Sequence, residues 1–126
     1  MTFYHVWFST KRRKPALVEE IDRTVRSSFA EVAAHAGVEI IEMETALDHV
    51  HLLVSLKAGQ TVPMVMHDLK GTAARLVFAK FPELRLDMGS DSFWQKSYGA
   101  RRVLQDQLET VRNYIRTQSD RPLRHV

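Results

Sequence analysis

Three groups of residues in this chain have the types and spacing to do chemistry. The first is His49-Val50-His51, two imidazoles separated by one apolar residue. On an extended strand, residues two apart point to the same side and lie about 7 Å apart along the chain. That is close enough to share a divalent metal if a third ligand arrives from elsewhere in the fold; otherwise these are two surface histidines alternating with core residues. The second group is Tyr114 and Gln118, four residues apart and therefore stacked on one face of a helix, beside an apolar line of Val111 and Ile115. A tyrosine on such a flank ordinarily buries its ring and wets its hydroxyl, whereas a glutamine there adds nothing to packing. The third group is basic: Lys11, Arg12, Arg13 and Lys14, then Lys70, Arg75 and Lys80, then Arg101 and Arg102, then Arg112, Arg116, Arg121 and Arg124. Several lie at the ends of elements, where side chains reach a phosphate backbone, although solvated basic faces account for most of them. Tyr4, His5, Trp7, Phe93, Trp94 and Tyr98 add aromatic faces on which bases could stack, while half of these must serve the core.

Composition narrows what these groups can belong to. A chain of 126 residues is the size of one domain, so residues 1–126 are expected to share one core. Apolar residues make up 44% and charged residues 26%, the balance of an ordinary globular protein. There is no cysteine, which excludes disulfides, thiolate zinc sites and a cysteine nucleophile, and leaves any metal to His, Gln, Asn or carboxylates. No apolar run approaches the ~20 residues of a membrane span, so no membrane partner is expected. The basic run Lys11 to Lys14 follows the first ten residues where a signal peptide would be apolar, so a cytoplasmic protein is expected. A net charge of +3 is compatible with a polyanionic partner without requiring one.

The elements that must position these residues follow from periodicity. Phe3 to Ser9 is β-branched and aromatic enough for a strand, closed by the basic run and Pro15. From Pro15, the positions Val18, Ile21, Val25, Phe29, Val32 and Ala36 step by three and four, and Gly37 stands where a left-handed terminator belongs. Val38 to Thr45 and His49 to Leu56 read as an antiparallel pair. In the second of these, Val50, Leu52, Val54 and Leu56 share one face, so the histidines point away from the apolar row. Thr61 caps a second helix with Pro63 in its first turn and Val62, Val65, Leu69, Ala73 and Leu76 as its buried stripe. Phe93 to Leu104 reads as a strand bent at Gly99, and Asp106 with Glu109 as a capping box opening the last helix. The order β-α-β-β-α-β-α predicts an α+β, ferredoxin-like split βαβ sandwich: an antiparallel sheet with helices on one face, and a C-terminal helix added. The other face is left for a ligand, with the histidines on it.

Four segments in this order, YHVWFSTKRRKP, DHVHLLVSL, MHDLKGTAAR, and FWQKSYG followed by VRNYIRTQ, resemble the HUH single-tyrosine transposases of the insertion-sequence 200/605 type, the TnpA family, and the related REP-associated tyrosine transposases. The resemblance covers nearly the whole chain. It implies that His49 and His51 form the His-hydrophobic-His metal motif, that Tyr114 is the nucleophile and that Gln118 is the third metal ligand. It further implies a metal-dependent single-stranded DNA transposase that works as a homodimer, recognises hairpins near element ends, and cleaves and rejoins DNA through a 5′-phosphotyrosine. Mg²⁺ or Mn²⁺ is the ion such neutral ligands would hold beside a phosphate. Lys11, Arg12, Arg13, Lys14, Lys70 and Arg75 are the expected DNA contacts. The alternatives are a domesticated nuclease like the REP-associated enzymes, a nucleic-acid-binding module without chemistry, and a phosphohydrolase using the histidines without a covalent step.

Overall fold

The structure, a computed structural model, describes residues 1–118. The elements are β1 (Thr2–Ser9), α1 (Glu19–Ala36), β2 (Glu39–Thr45), β3 (His49–Leu56), α2 (Val62–Lys80), a short α3 (Leu84–Met88), β4 (Gly99–Val103) and α4 (Leu108–Arg116). The four strands form one sheet in the order β2-β3-β1-β4, and all three pairings are antiparallel. This is the expected ferredoxin-like arrangement, with the first and third strands side by side at the centre.

Local chemistry sets the boundaries. Gly37 adopts φ 71° and its N–H returns to the carbonyls of Ala33 and Ala34, so α1 ends in a left-handed turn that favours glycine. The Thr61 hydroxyl accepts the Met64 N–H at 3.3 Å, capping α2 as its sequence predicts. An irregularity between Ile40 and Glu42 shifts the β2 register, so Glu42 pairs with Leu53 and Glu44 with His51. The shift therefore turns the Glu42 carboxylate to the histidine side of the sheet, while the Glu44 carboxylate reaches Arg26 of α1 at 3.4 Å.

The sheet separates two apolar clusters. Val6 and Phe8 of β1 and Val50, Leu52, Val54 and Leu56 of β3 pack against Val25, Phe29 and Ala33 of α1 and Val65, Leu69, Ala73 and Val77 of α2. On the other face, Leu53, Val103 and Ile115 form a smaller cluster with Phe3, Ile41, Leu108 and Val111. The expectation placed the helices on one face; α1 and α2 lie there, and α4 goes to the opposite face. It is fixed there by Ile115, which is fully buried, and by Glu42, whose Oε1 accepts from Arg112 Nε at 3.0 Å and Arg116 Nη2 at 3.3 Å.

Several predicted boundaries move for packing reasons. Helix α1 starts at Glu19, because Ala16 and Leu17 are buried in an extended lead-in. In α2 the inward positions near the end are Val77 and Phe78, while Leu76 is 39% exposed. The strand predicted over 93–104 is confined to β4, preceded only by a bridge between Trp94 and Thr10. Phe93 and Trp94 insert their rings into the core beside Phe8, Phe29 and Phe78, which pulls that segment off the ladder. The last helix is preceded by a 3₁₀ turn over Gln105–Gln107, and it is Gln107 Oε1, accepting the Leu104 N–H at 3.0 Å, that closes the entry rather than Asp106 and Glu109.

Candidate active site

The register of three strands assembles the site. His5 of β1 stands opposite Leu53 and Arg101, and Trp7 stands opposite His51 and Gly99. Since paired residues share a face, His5, Trp7, His49, His51 and Arg101 project together on the side that α4 partly covers. Gly99 is needed there: a Cβ at that position would collide with the Trp7 indole, which lies across the β4 backbone.

His49 and His51 come together as the sequence predicts, with ring centroids 5.2 Å apart. Both are buried rather than exposed, at 6% and 8%. Each has its Nδ1 engaged: His49 with the Asp48 carboxylate at 2.8 Å, and His51 with His5 Nε2 at 2.9 Å. Burial pushes the His51 pKa down to about 3, helped by His5 and His49; burial, with the Arg101 guanidinium, pushes His5 down to about 4. Both rings are therefore neutral at physiological pH and offer lone pairs rather than charge.

Tyr114 of α4 stands over this cluster, its ring 6.0 Å from His5 and 6.4 Å from His51, edge-on to both. It is 45% exposed, so its position near the histidines is not dictated by burial of its own ring. Gln118 follows one turn later, and its amide donates to the Tyr114 carbonyl at 3.5 Å. Helix α4 thus brings Tyr114 to the histidines, but it ends at Arg116, so Gln118 lies just past the helix the sequence placed it on, and the only hydrogen bond of its side chain among the described residues runs back to the last turn of α4.

Among the described residues, no three His, Cys, Asp or Glu side chains form a metal cage. The donor chemistry nevertheless fits an ion: with both Nδ1 atoms occupied, the nitrogens left to His49 and His51 are their Nε2 atoms, and an amide, water or phosphate oxygen would complete the shell.

The basic residues divide. Lys11, Arg12, Arg13 and Lys14 form a tight turn directly after Ser9, the partner of His49, and the Thr10 N–H donates to the Asp48 carbonyl at 2.9 Å, so this charge sits at the histidine end of the sheet. Arg12 and Arg13 hold left-handed φ values of 54° and 53°. Arg75 is exposed on α2, on the opposite side of the sheet from the histidines. Lys70 turns inward: its ammonium donates to the carbonyls of Gln95, Lys96 and Ser97 at 2.8, 3.4 and 3.3 Å and lies 5.5 Å from the Phe8 ring centroid. Burial lowers its pKa, and its role in the fold is to hold the loop before β4. Arg121 and Arg124 lie outside the described residues. The sequence names His5 only among the aromatic faces and Arg101 only among the basic residues, and assigns neither these two nor Asp48 to the histidine site. The signal for Asp48 was its place beside His49, but His5 and Arg101 join the site only through strand register.

Comparison with known proteins identifies the family. Residues 2–118 match the family model for IS200-like transposases. The chain is 33% identical to the ISDra2 transposase TnpA of Deinococcus radiodurans over 118 residues, 94% of this chain and 84% of that protein. It is 30% identical to the transposase for insertion sequence element IS200 of Salmonella typhimurium over 95 residues, 75% of this chain and 62% of the relative. Among solved structures, a transposase from Deinococcus radiodurans R1 superposes with a TM-score of 0.76 at 28% identity, covering 94% of this chain and 92% of that one. A REP-associated tyrosine transposase bound to a REP hairpin shares the fold, with a TM-score of 0.69 at 14% identity over 92% of this chain and 65% of that one. A tyrosine helix docked over paired strand histidines, matched to this family along almost its whole length, makes the chain a member of the IS200-like transposases.

Proposed function

We propose that this transposase cleaves and rejoins single-stranded DNA at hairpin-bearing element ends through a 5′-phosphotyrosine on Tyr114. The observation that carries the reading is the placement of the Tyr114 ring against His5 and His51 of the same chain. His49, His51 and Gln118 would hold Mg²⁺ or Mn²⁺, which when bound supplies the positive charge that polarises the scissile phosphate and stabilises the leaving oxygen.

The remaining work belongs to the chain. The basic turn of Lys11, Arg12, Arg13 and Lys14 draws the phosphate backbone toward the histidine end of the sheet. Arg101, exposed beside His5, faces the same space. Arg75 would meet only DNA that wraps to the helical face, and Lys70 acts by holding its loop. Tyr114 attacks in line: its Oη–P bond forms as the P–O3′ bond breaks, the phenol proton passes to solvent, and the departing 3′ oxygen takes up a proton. The phosphodiester energy is kept in the tyrosyl ester, so a 3′-hydroxyl can reverse the step and rejoin strands. Neutral histidines suit this chemistry, because a protonated ring would give up its lone pair. The hairpin in the REP-associated structure supports a folded single strand as substrate.

A homodimer acting in the cytoplasm completes the proposal. Among the described residues no strand pairs with the outer edge of β4, which leaves it for a two-fold partner, and two copies match two element ends. Light scattering at working concentration should give about twice the chain mass. The test of activity is incubation with hairpin-bearing single strands from the element's own flanks. Site-specific cleavage with Mg²⁺ and none with EDTA is expected; hairpin binding without cleavage would replace the reading with a binding module.

A further inference from the structure

The His5–His51 hydrogen bond constrains which nitrogen His51 can offer. It joins His5 Nε2 to His51 Nδ1 at 2.9 Å between two buried rings. A hydrogen bond between two neutral imidazole nitrogens carries one proton, so one ring donates and the other accepts. If His5 donates, the proton of His51 must sit on Nε2, the nitrogen turned away from His5, and that atom cannot ligate. If His51 donates from Nδ1, its Nε2 keeps a lone pair, and His5 must carry its own proton on Nδ1. The neighbouring histidine has a simpler arrangement: the Asp48 carboxylate can only accept, so His49 donates from Nδ1, and the neutral ring in that tautomer has its lone pair on Nε2.

We propose that His5 is a positioning residue that holds His51 in its Nε2-ligating form, accepting the Nδ1 proton as Asp48 does for His49. The two partners differ in kind. Asp48 is fixed as an acceptor, whereas His5 becomes one only by adopting its own Nδ1–H form, so ion binding at His51 and the tautomer of His5 are linked. His5 is held for this role by packing: its ring lies 4.9 Å from Trp7 and 5.2 Å from His51, in the centre of the sheet. An apolar residue would fill that space more cheaply if only packing were needed, since burying a polar ring is favourable only when it is hydrogen-bonded.

The inference rests on the metal reading above, and the experiment separates the two. The probe is Mn²⁺ alone, titrated into wild type, His51→Ala, His5→Leu and His5→Gln, with melting of each metal-free protein as a check on folding. Removing such a partner is expected to weaken Mn²⁺ binding about 10- to 100-fold in His5→Leu. His5→Gln, whose amide oxygen can accept the same proton, should recover most of the loss. Nitrogen-15 spectra of wild type with Mg²⁺ should show His5 protonated at Nδ1 and His51 at Nδ1, a readout that requires no variant. If wild type binds no Mn²⁺, or His51→Ala binds as well as wild type, the metal reading itself fails and the inference with it. If His51→Ala loses binding while His5→Leu keeps it, or if His5 carries its proton on Nε2 in the Mg²⁺ form, the metal reading stands and the role of His5 is overturned.

Discussion

Val50, Leu52, Val54 and Leu56 on one side of β3, and His49, His51, Leu53 and Ser55 on the other, are all buried. The first row packs against α1 and α2, and each such side chain contributes about 1.5–3 kcal/mol by leaving water. The second row is polar at three of its four positions. Burying its imidazoles costs free energy that Asp48 and His5 offset by hydrogen bonding, and only Leu53 joins an apolar cluster, under α4. One strand thus carries a stabilising face and a face whose burial makes sense only for chemistry. Substitutions on the two faces should therefore fail in different ways.

The largest expected effect is on the polar face. His49→Ala should lower cleavage by at least about 10³-fold, or ~4 kcal/mol of barrier, while hairpin binding and metal-free melting stay close to wild type. The mirror experiment is Leu52→Ala, which should cost about 2–5 kcal/mol of stability in chemical unfolding while the folded fraction still cleaves. Equal loss of stability in both variants would erase the distinction between the faces.

A pH titration sharpens it further. The folded chain holds His5 down at about 4 and His51 at about 3, whereas the unfolded chain protonates them near the ordinary value of 6.5. Between those values the unfolded state binds more protons, so this stability is complete above about pH 6.5 and falls as pH drops toward 4. Unfolding in EDTA should follow that course, and replacing His5 with leucine should flatten it. The smallest effect concerns the α4 tether. Glu42→Gln leaves Arg112 and Arg116 without their carboxylate, and should loosen α4 by about 1 kcal/mol, read as roughly fivefold faster amide exchange in that helix with the rest unchanged.

Much of this was legible in the sequence where periodicity is strong. The alternation from His49 to Leu56 placed the histidines opposite the apolar row, and the three-four stepping of α1 with Gly37 gave that helix and its end. What could not be read depends on register and on tertiary choice. His5 reaches His51 because β1 pairs with β3 with Trp7 opposite His51, a fact no local pattern encodes. Glu42 faces α4 because of a register shift in β2. Lys70 resembles any exposed helix lysine until the loop over 95–97 folds its carbonyls around it. The helical face for α4 was missed for a related reason: its apolar line fits either side of a sheet, and Leu53, the residue that receives Ile115, lies within the histidine row.

The central claim is that the Tyr114 hydroxyl becomes covalently joined to DNA. The chain has three tyrosines, and Tyr114 is the one whose ring contacts the histidine cluster in the structure. Incubating wild type and Tyr114→Phe with hairpin-bearing single-stranded DNA and Mg²⁺, then mapping any covalent adduct by mass spectrometry, tests this directly. The account predicts an adduct on Tyr114 in wild type, and neither adduct nor cleavage in the Phe variant, which still melts and binds hairpins as wild type does. An adduct on Tyr4 or Tyr98, or cleavage surviving in Tyr114→Phe, would contradict it.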